Sequence, residues 1–166
     1  MTRHRPARRS AAARRMHGRP PRGAKVRVRV GTAVVVRNRN GYILLEKRSD
    51  SGLWGLPGGR IEPRESVVES AVREAKEETG FRVKIVRLLG VYSEPADRIV
   101  TYPGRWGTVH LVDIALEARI VSGKLARSSE SEELKFFPPG RLPRDASPPA
   151  RAILKDLAAG RRGVVR

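Results

Sequence analysis

Apolar and polar positions recur at two different periods along the chain, and the changes of period mark its elements. Val26-Arg27-Val28-Arg29-Val30 alternates apolar with basic, which predicts a half-exposed strand. Gly31 is expected to break it, and Ala33-Val34-Val35-Val36 to continue as a buried strand. Asn40-Gly41 signals a hairpin turn, with Tyr42 to Arg48 returning as the partner strand. Ser49 to Gly52 reads as a polar loop. The period then becomes helical. Ser66 with Glu69 forms a capping-box pattern, Val68, Ala71, Val72 and Ala75 give an apolar stripe, and Gly80 stands where a helix stops. Val83 to Leu89 and Thr108 to Ile120 read as strands, joined by a long connection from Tyr92 to Trp106. Leu134 to Phe137 reads as a short strand. Pro148-Pro149 introduces a helix over Ala150 to Ala159, closed by Gly160. The mixture predicts one α/β domain.

The helix after the glycines carries clustered acids. Glu74 shares a face with Glu77 and with Glu78, at spacings of three and four. Like charges so placed destabilise a bare helix by about 0.2–0.5 kcal/mol per pair. A hard divalent cation, which takes oxygen ligands, reverses the sign of that contribution. A solvated face, with Arg73 partnering Glu69 and Glu77, is the bland alternative. The wider spacing separates the two. Gly59, Glu65, Arg73, Glu74, Glu77, Glu78 and Gly80 are seven identities at fixed intervals, with apolar Ala75 and Phe81 among them. A chance match at one start is on the order of 10⁻⁸ at average residue usage.

The stretch from Gly59 to Phe81 resembles the signature box of the Nudix hydrolases at every specified position, and Leu53-Trp54-Gly55-Leu56-Pro57-Gly58 before it is similar to members of that family. The resemblance implies an α/β/α sandwich with a mixed sheet. It also implies metal-dependent cleavage of the diphosphate linkage in a nucleoside diphosphate joined to another group, of nucleotide or nucleotide-sugar type. By resemblance, Glu74, Glu77 and Glu78, with the backbone carbonyl of Gly58, hold Mg²⁺, for which Mn²⁺ can substitute. Glu74 is a ligand or the general base, Arg73 orients the carboxylates, and Gly59 and Glu65 support them. A further acid is expected among Glu130, Glu132 and Glu133. Substrate choice in the family often lies in long connections, which makes Tyr92, Tyr102 and Trp106 candidates for stacking on a base. Trp54 is a weaker candidate, better suited to packing its loop. Pro95 stands one position off the proline that marks some ADP-ribose-cleaving members.

Composition changes the picture in three places. The length of 166 residues suits one domain with its own core, and the absence of cysteine excludes disulfides and thiolate metal sites. No apolar run approaches the ~18 residues of a membrane span, so no membrane association is expected and the protein is read as cytoplasmic. The net charge of +18 is unevenly spread. Residues 1–25 hold nine Lys and Arg and no acid, which reads as a disordered basic tail, with residues 26–160 as the domain and 161–166 as a second basic tail. The N-terminal tail suits nucleic acid, so an enzyme acting on the 5′ end of RNA is the first alternative function. A non-catalytic nucleotide-binding regulator is the second, and a homodimer is left open.

Overall fold

The computed structural model describes residues 16–18, 20, 22–102 and 107–166. In chain order its elements are β1 (Met16–His17), β2 (Val26–Arg37), β3 (Ile43–Arg48), β4 (Trp54–Gly55), α1 (Val67–Thr79), β5 (Phe81–Tyr92) and α2 (Pro95–Arg98). They continue with β6 (Ile99–Tyr102), β7 (Gly107–Gly123), β8 (Ser131–Phe137), α3 (Pro148–Ala158) and β9 (Val164–Val165). Among the described residues nine strands form one mixed sheet. Its centre is the parallel pair β2 and β7, in register from Val26 against Thr108 to Arg37 against Arg119. The antiparallel strands β5 and β6 lie along the other edge of β7.

Alternation along β2 assigns the two faces of the sheet. Ala33 and Val35 pack with Ala150, Ile153 and Leu154 of α3, whereas Val34 and Val36 pack with Ala71 and Ala75 of α1. The result is the α/β/α sandwich. Val34, Val35 and Val36 are fully buried, which stabilises the fold by roughly 1.5–3 kcal/mol per side chain. No described helix is long and apolar enough to cross a membrane.

Helix α1 has the expected ends. Ser66 Oγ accepts the Glu69 amide, Glu69 Oε2 accepts the Ser66 amide, and Gly80 caps the other end at a φ of 76°. Such an N-cap contributes about 1 kcal/mol. The stripe is displaced from the expected one. Val68 is exposed, and the buried edge runs through Ser70, Ala71, Ala75, Glu78 and Thr79. One of the box carboxylates therefore lies on the packed side of its helix.

Several expectations are corrected. Gly31 does not break β2, because pairing with β7 carries the strand through it. In the first half of β2 it is Arg29 that is half-buried, while Val26, Val28 and Val30 are exposed. Arg27, the other basic position, is exposed as well, so Arg29 alone turns inward in this half of the strand. The hairpin turn forms at residues 38–42, where Asn38 Oδ1 accepts the amides of Asn40 and Tyr42 at 3.0 Å. The long connection after Tyr92 is occupied by α2 and β6, with Pro95 at the first position of the helix. Both segments read as tails are partly docked. Met16 and His17 pair with Thr101 and Val100. Val164 and Val165 pair with Gly90 and Val91, and Arg161 and Arg166 reach the buried Asp156 Oδ1 at 2.9 and 2.8 Å. A buried carboxylate requires such partners. Residues 1–15, where most of the basic N-terminal segment lies, are outside the described residues.

Candidate functional site

The loop between β4 and α1 is stitched onto β2. Val34 and Thr32 donate their amides to the carbonyls of Pro57 and Gly59 at 2.7 and 2.8 Å. Two glycines permit this approach. Gly58 has a φ of 145°, and a Cβ there would strike the backbone of Thr32. A Cβ on Gly59 would come within 2.5 Å of Glu74 Oε1, so the Glu74 carboxylate lies directly against the loop.

Arg73 organises the outer part of the acidic cluster. Its fork binds both oxygens of Glu65, at 2.7 and 2.8 Å, and Nη1 donates to Glu74 Oε1 at 2.8 Å and Glu77 Oε2 at 3.2 Å. Paired donation of this kind is the stronger form of a charge-assisted hydrogen bond. It holds the Glu65 carboxyl down to about 2, helped by the Glu62 amide. Glu74 moves the other way, because burial raises it and Arg73 only partly offsets that.

The inner part centres on Glu78. Its Oε2 accepts the Gly58 amide at 2.7 Å. Burial, and then the charge of Glu46, push Glu78 well above the usual carboxylate range, against the pull of the Gly58 amide and Arg48. Glu46 of β3 is fully buried, accepts Ser131 Oγ at 2.7 Å, and is itself raised by burial. Arg48 Nη1 stands 3.8 Å from both Glu46 Oε2 and Glu78 Oε1, and Arg48 Nη2 donates to Glu130 Oε2 at 3.0 Å. Glu46 and Arg48 were not singled out in the sequence. The signal was present, since Glu46 follows three apolar residues in a strand and stands where a side chain is buried.

Of these groups, Arg48, Glu74, Glu77, Glu78 and Glu130 line one end of a cavity of about 620 Å³, together with Gly58 and Gly59. Arg29, Tyr102, Leu111 and Asp113 line the other, with Ala150 and Ile153 of α3 alongside. Arg29 sits over the Tyr102 ring, 5.9 Å from its centre. Of the aromatic candidates, Tyr102 alone among the described ones reaches the cavity. Trp54 is buried edge-on to Phe137 with ring centres 4.9 Å apart, as its packing reading expects. Tyr92 is buried beneath Arg98, with its hydroxyl pushed up to about 12 by burial and by Asp156. Trp106 lies outside the described residues. Of the three later acids only Glu130 lines the cavity, while Glu132 and Glu133 belong to β8 and are exposed.

The donors of α1 are all carboxylate oxygens, the chemistry a hard cation selects, and Glu74 fills the space that the missing Gly59 side chain leaves. In the present arrangement no three carboxylate or imidazole groups among the described residues converge on one point. Arg73 engages Glu74 and Glu77, and Glu78 is turned to the Gly58 amide.

Residues 27–157 match the NUDIX domain. A protein of Bacillus subtilis (strain 168) named "Putative 8-oxo-dGTP diphosphatase" is 37% identical over 135 residues, covering 81% of this chain and 83% of its own. An ADP-ribose pyrophosphatase of Methanocaldococcus jannaschii is 34% identical over 131 residues, covering 78% and 72%. The crystal structure of a MutT NUDIX hydrolase from Burkholderia pseudomallei superposes with a TM-score of 0.61 at 29% identity, over 78% of this chain and 97% of that one. Divalent metal use is general among such enzymes. The chain belongs to the Nudix family and is a hydrolase of the phosphoric anhydride bond in nucleoside diphosphate derivatives.

Proposed function

We propose that Glu74, Glu77 and Glu78, with the Gly58 backbone, hold Mg²⁺ or Mn²⁺ at the α1 end of the cavity, and that the diphosphate of a nucleotide or nucleotide-sugar substrate is cleaved there. The observation that carries this is the contact of α1 with the glycine loop, where Glu78 takes the Gly58 amide and Glu74 lies against Gly59. Bound there, a divalent ion neutralises charge on the phosphate oxygens as it grows in the transition state.

The chain supplies the rest. Glu74 has two alternative roles, ligand or general base: where Glu77 and Glu78 hold the ion, its carboxylate, set against the glycine loop, takes the proton from the attacking water. The water oxygen bonds to one phosphorus, and the bridging oxygen leaves with its electron pair. Arg48 lines the same end and places a fixed positive charge beside the phosphates. Arg73 positions Glu65, Glu74 and Glu77 and is not itself a donor to the substrate in this scheme. To share an ion, Glu74 and Glu77 exchange their Arg73 contacts for it.

The relatives' names cover a modified nucleoside triphosphate and ADP-ribose. The test is a panel spanning both classes, incubated with Mg²⁺, with products identified by chromatography. Release of a nucleoside monophosphate from at least one class is expected. No cleavage of any member by folded, metal-loaded protein would contradict the reading.

A further inference from the structure

The hydrolytic chemistry leaves the other end of the cavity unexplained, and that end contains a buried ion pair. Asp113, in β7, stands opposite Gly31 of β2 on one side and Tyr92 of β5 on the other. It lines the cavity, and its neighbour Gly31 has no side chain to cover it. Behind it Arg98 is 1% exposed, with Nε 3.2 Å from Asp113 Oδ2 and its guanidinium carbon 5.3 Å from the centre of the Tyr92 ring. None of the three Arg98 nitrogens has a well-formed hydrogen bond to an acceptor among the described residues.

Such a pair is a poor device for stability. Desolvating a carboxylate and a guanidinium costs as much as their attraction returns, and apolar side chains of similar volume would join α2 to β7 as well. What the pair does provide is a carboxylate in the cavity wall that, among the described residues, has the Arg98 charge beside it but no well-formed hydrogen-bond donor. Burial raises Asp113, and the Arg98 charge pulls it back toward the ionised form. The position also fits. The glycine loop pairs with β2, and β2 pairs with β7, so Asp113 is two strand spacings, about 10 Å, from the loop. A nucleoside spans that separation when its phosphates sit at the α1 end. Arg29, over the Tyr102 ring, offers donors only, and among the described residues lining this end Asp113 is the one carboxylate.

We propose that Asp113 is a specificity-determining residue whose carboxylate accepts a pair of neighbouring hydrogen bonds from the nucleoside part of the substrate, with Arg98 as its fixed countercharge. Two nucleoside groups carry that chemistry: a base edge with a ring N–H beside an amino group, as in guanine, and the 2′,3′-diol of ribose. The proposal rests on the placement of the phosphates at α1.

The experiment measures calorimetric binding to the full chain in Mg²⁺. The ligands are the cleavage-resistant α,β-methylene forms of GDP, dGDP, ADP and dADP, with methylenediphosphonate as a probe of the phosphate end alone. Wild-type protein is expected to prefer guanine over adenine in both sugars, or ribose over deoxyribose with both bases, by about 10- to 100-fold. The first result assigns the base edge and the second the diol. Asp113→Asn is expected to erase that preference while methylenediphosphonate binds as before, which also reports that the variant is folded. Should the Asn variant fail to fold, Asp113→Glu keeps the charge beside Arg98, displaces the carboxylate, and is expected to lose the preference equally.

No preference in the wild type, a preference for adenine, or a variant that weakens all four nucleotides equally overturns the assignment. Wild-type protein that binds methylenediphosphonate without discriminating among the nucleotides refutes the role of Asp113 alone. Binding of neither probe refutes the phosphate end and this inference with it.

Discussion

The two ends of the cavity are built on opposite plans. At the α1 end most of the charges come from one short stretch of chain, Arg73, Glu65, Glu74, Glu77 and Glu78 lying within fourteen residues, with Glu46, Arg48 and Glu130 joining them from elsewhere. Their neighbours are close in sequence, and the glycine loop folds back on the helix that follows it. At the strand end, Arg29, Tyr102, Leu111 and Asp113 come from three strands that only the sheet brings together. In the proposed scheme the first end performs the hydrolysis, which needs fixed spacing, and the second meets the variable part of the substrate, with its geometry set mainly by strand register. Chemistry and selection are therefore separable by mutation.

The largest expected effect is at Glu78. Glu78→Gln keeps the shape that accepts the Gly58 amide but removes the charge, and should cost roughly 10²–10⁴ in kcat. Lys76→Gln, at an exposed position of the same helix, should cost almost nothing. Equal losses in the two variants would break the distinction between α1's inner edge and its outer face. Next is Arg73→Gln. It releases Glu65, Glu74 and Glu77 together, and is expected to lower metal affinity or rate about 10- to 100-fold, the scale of losing an outer partner of a ligand set. A titration of Mn²⁺ followed by electron paramagnetic resonance reads the affinity directly.

Tyr102→Ala sharpens the other side of the comparison. Loss of an aromatic platform for a base should raise KM about tenfold with kcat nearly unchanged, since uniform binding is removed. A collapse of kcat with KM unchanged would place Tyr102 in the chemistry.

The pH dependence of metal-free stability distinguishes the two carboxylates that bracket Arg73's helix. Glu78 is held above the ordinary glutamate range, so between its unfolded and folded values the native state keeps a proton that the unfolded chain has lost. Stability should therefore fall as pH rises through that window. Glu65, held down to about 2, contributes in full above the ordinary glutamate value, and its contribution is lost only as pH falls toward about 2. Thermal unfolding across about pH 4 to 8 should show Tm declining toward the alkaline side, less steeply in Glu78→Gln. The smallest effect is expected from deleting residues 1–15, which spares the paired Met16 and His17. Tm and hydrolysis of small nucleotides should both stay as they are in the full chain.

The contrast between the ends also explains what was legible in the sequence. The capping box, the Gly80 stop and the acidic face of α1 are local, so spacing revealed them. The same spacing could not show that Val68 faces solvent while Glu78 is packed, because the sheet decides which edge of the helix is covered. Glu46 and Arg48 are hidden inside a strand pattern, and only the packing of β3 near the end of α1 brings them to Glu78. Asp113 and Arg98 carried no signal at all. One stands alone in an apolar strand and the other in a segment read as a connection, and only the pairing of β5, β6 and β7 places them together. The docked C-terminal residues were misread for a similar reason, since their partner Asp156 is buried by α3 packing rather than by anything in the basic run itself.

In the proposed scheme the α1 carboxylates act through a divalent ion. The most direct test strips the protein of metal, confirms its removal by elemental analysis, and follows hydrolysis of a cleavable nucleoside diphosphate derivative while Mg²⁺ is added back. The predicted result is no turnover in excess chelator and a saturable return of activity with Mg²⁺, absent in Glu78→Gln. Full turnover by the confirmed metal-free protein would contradict it.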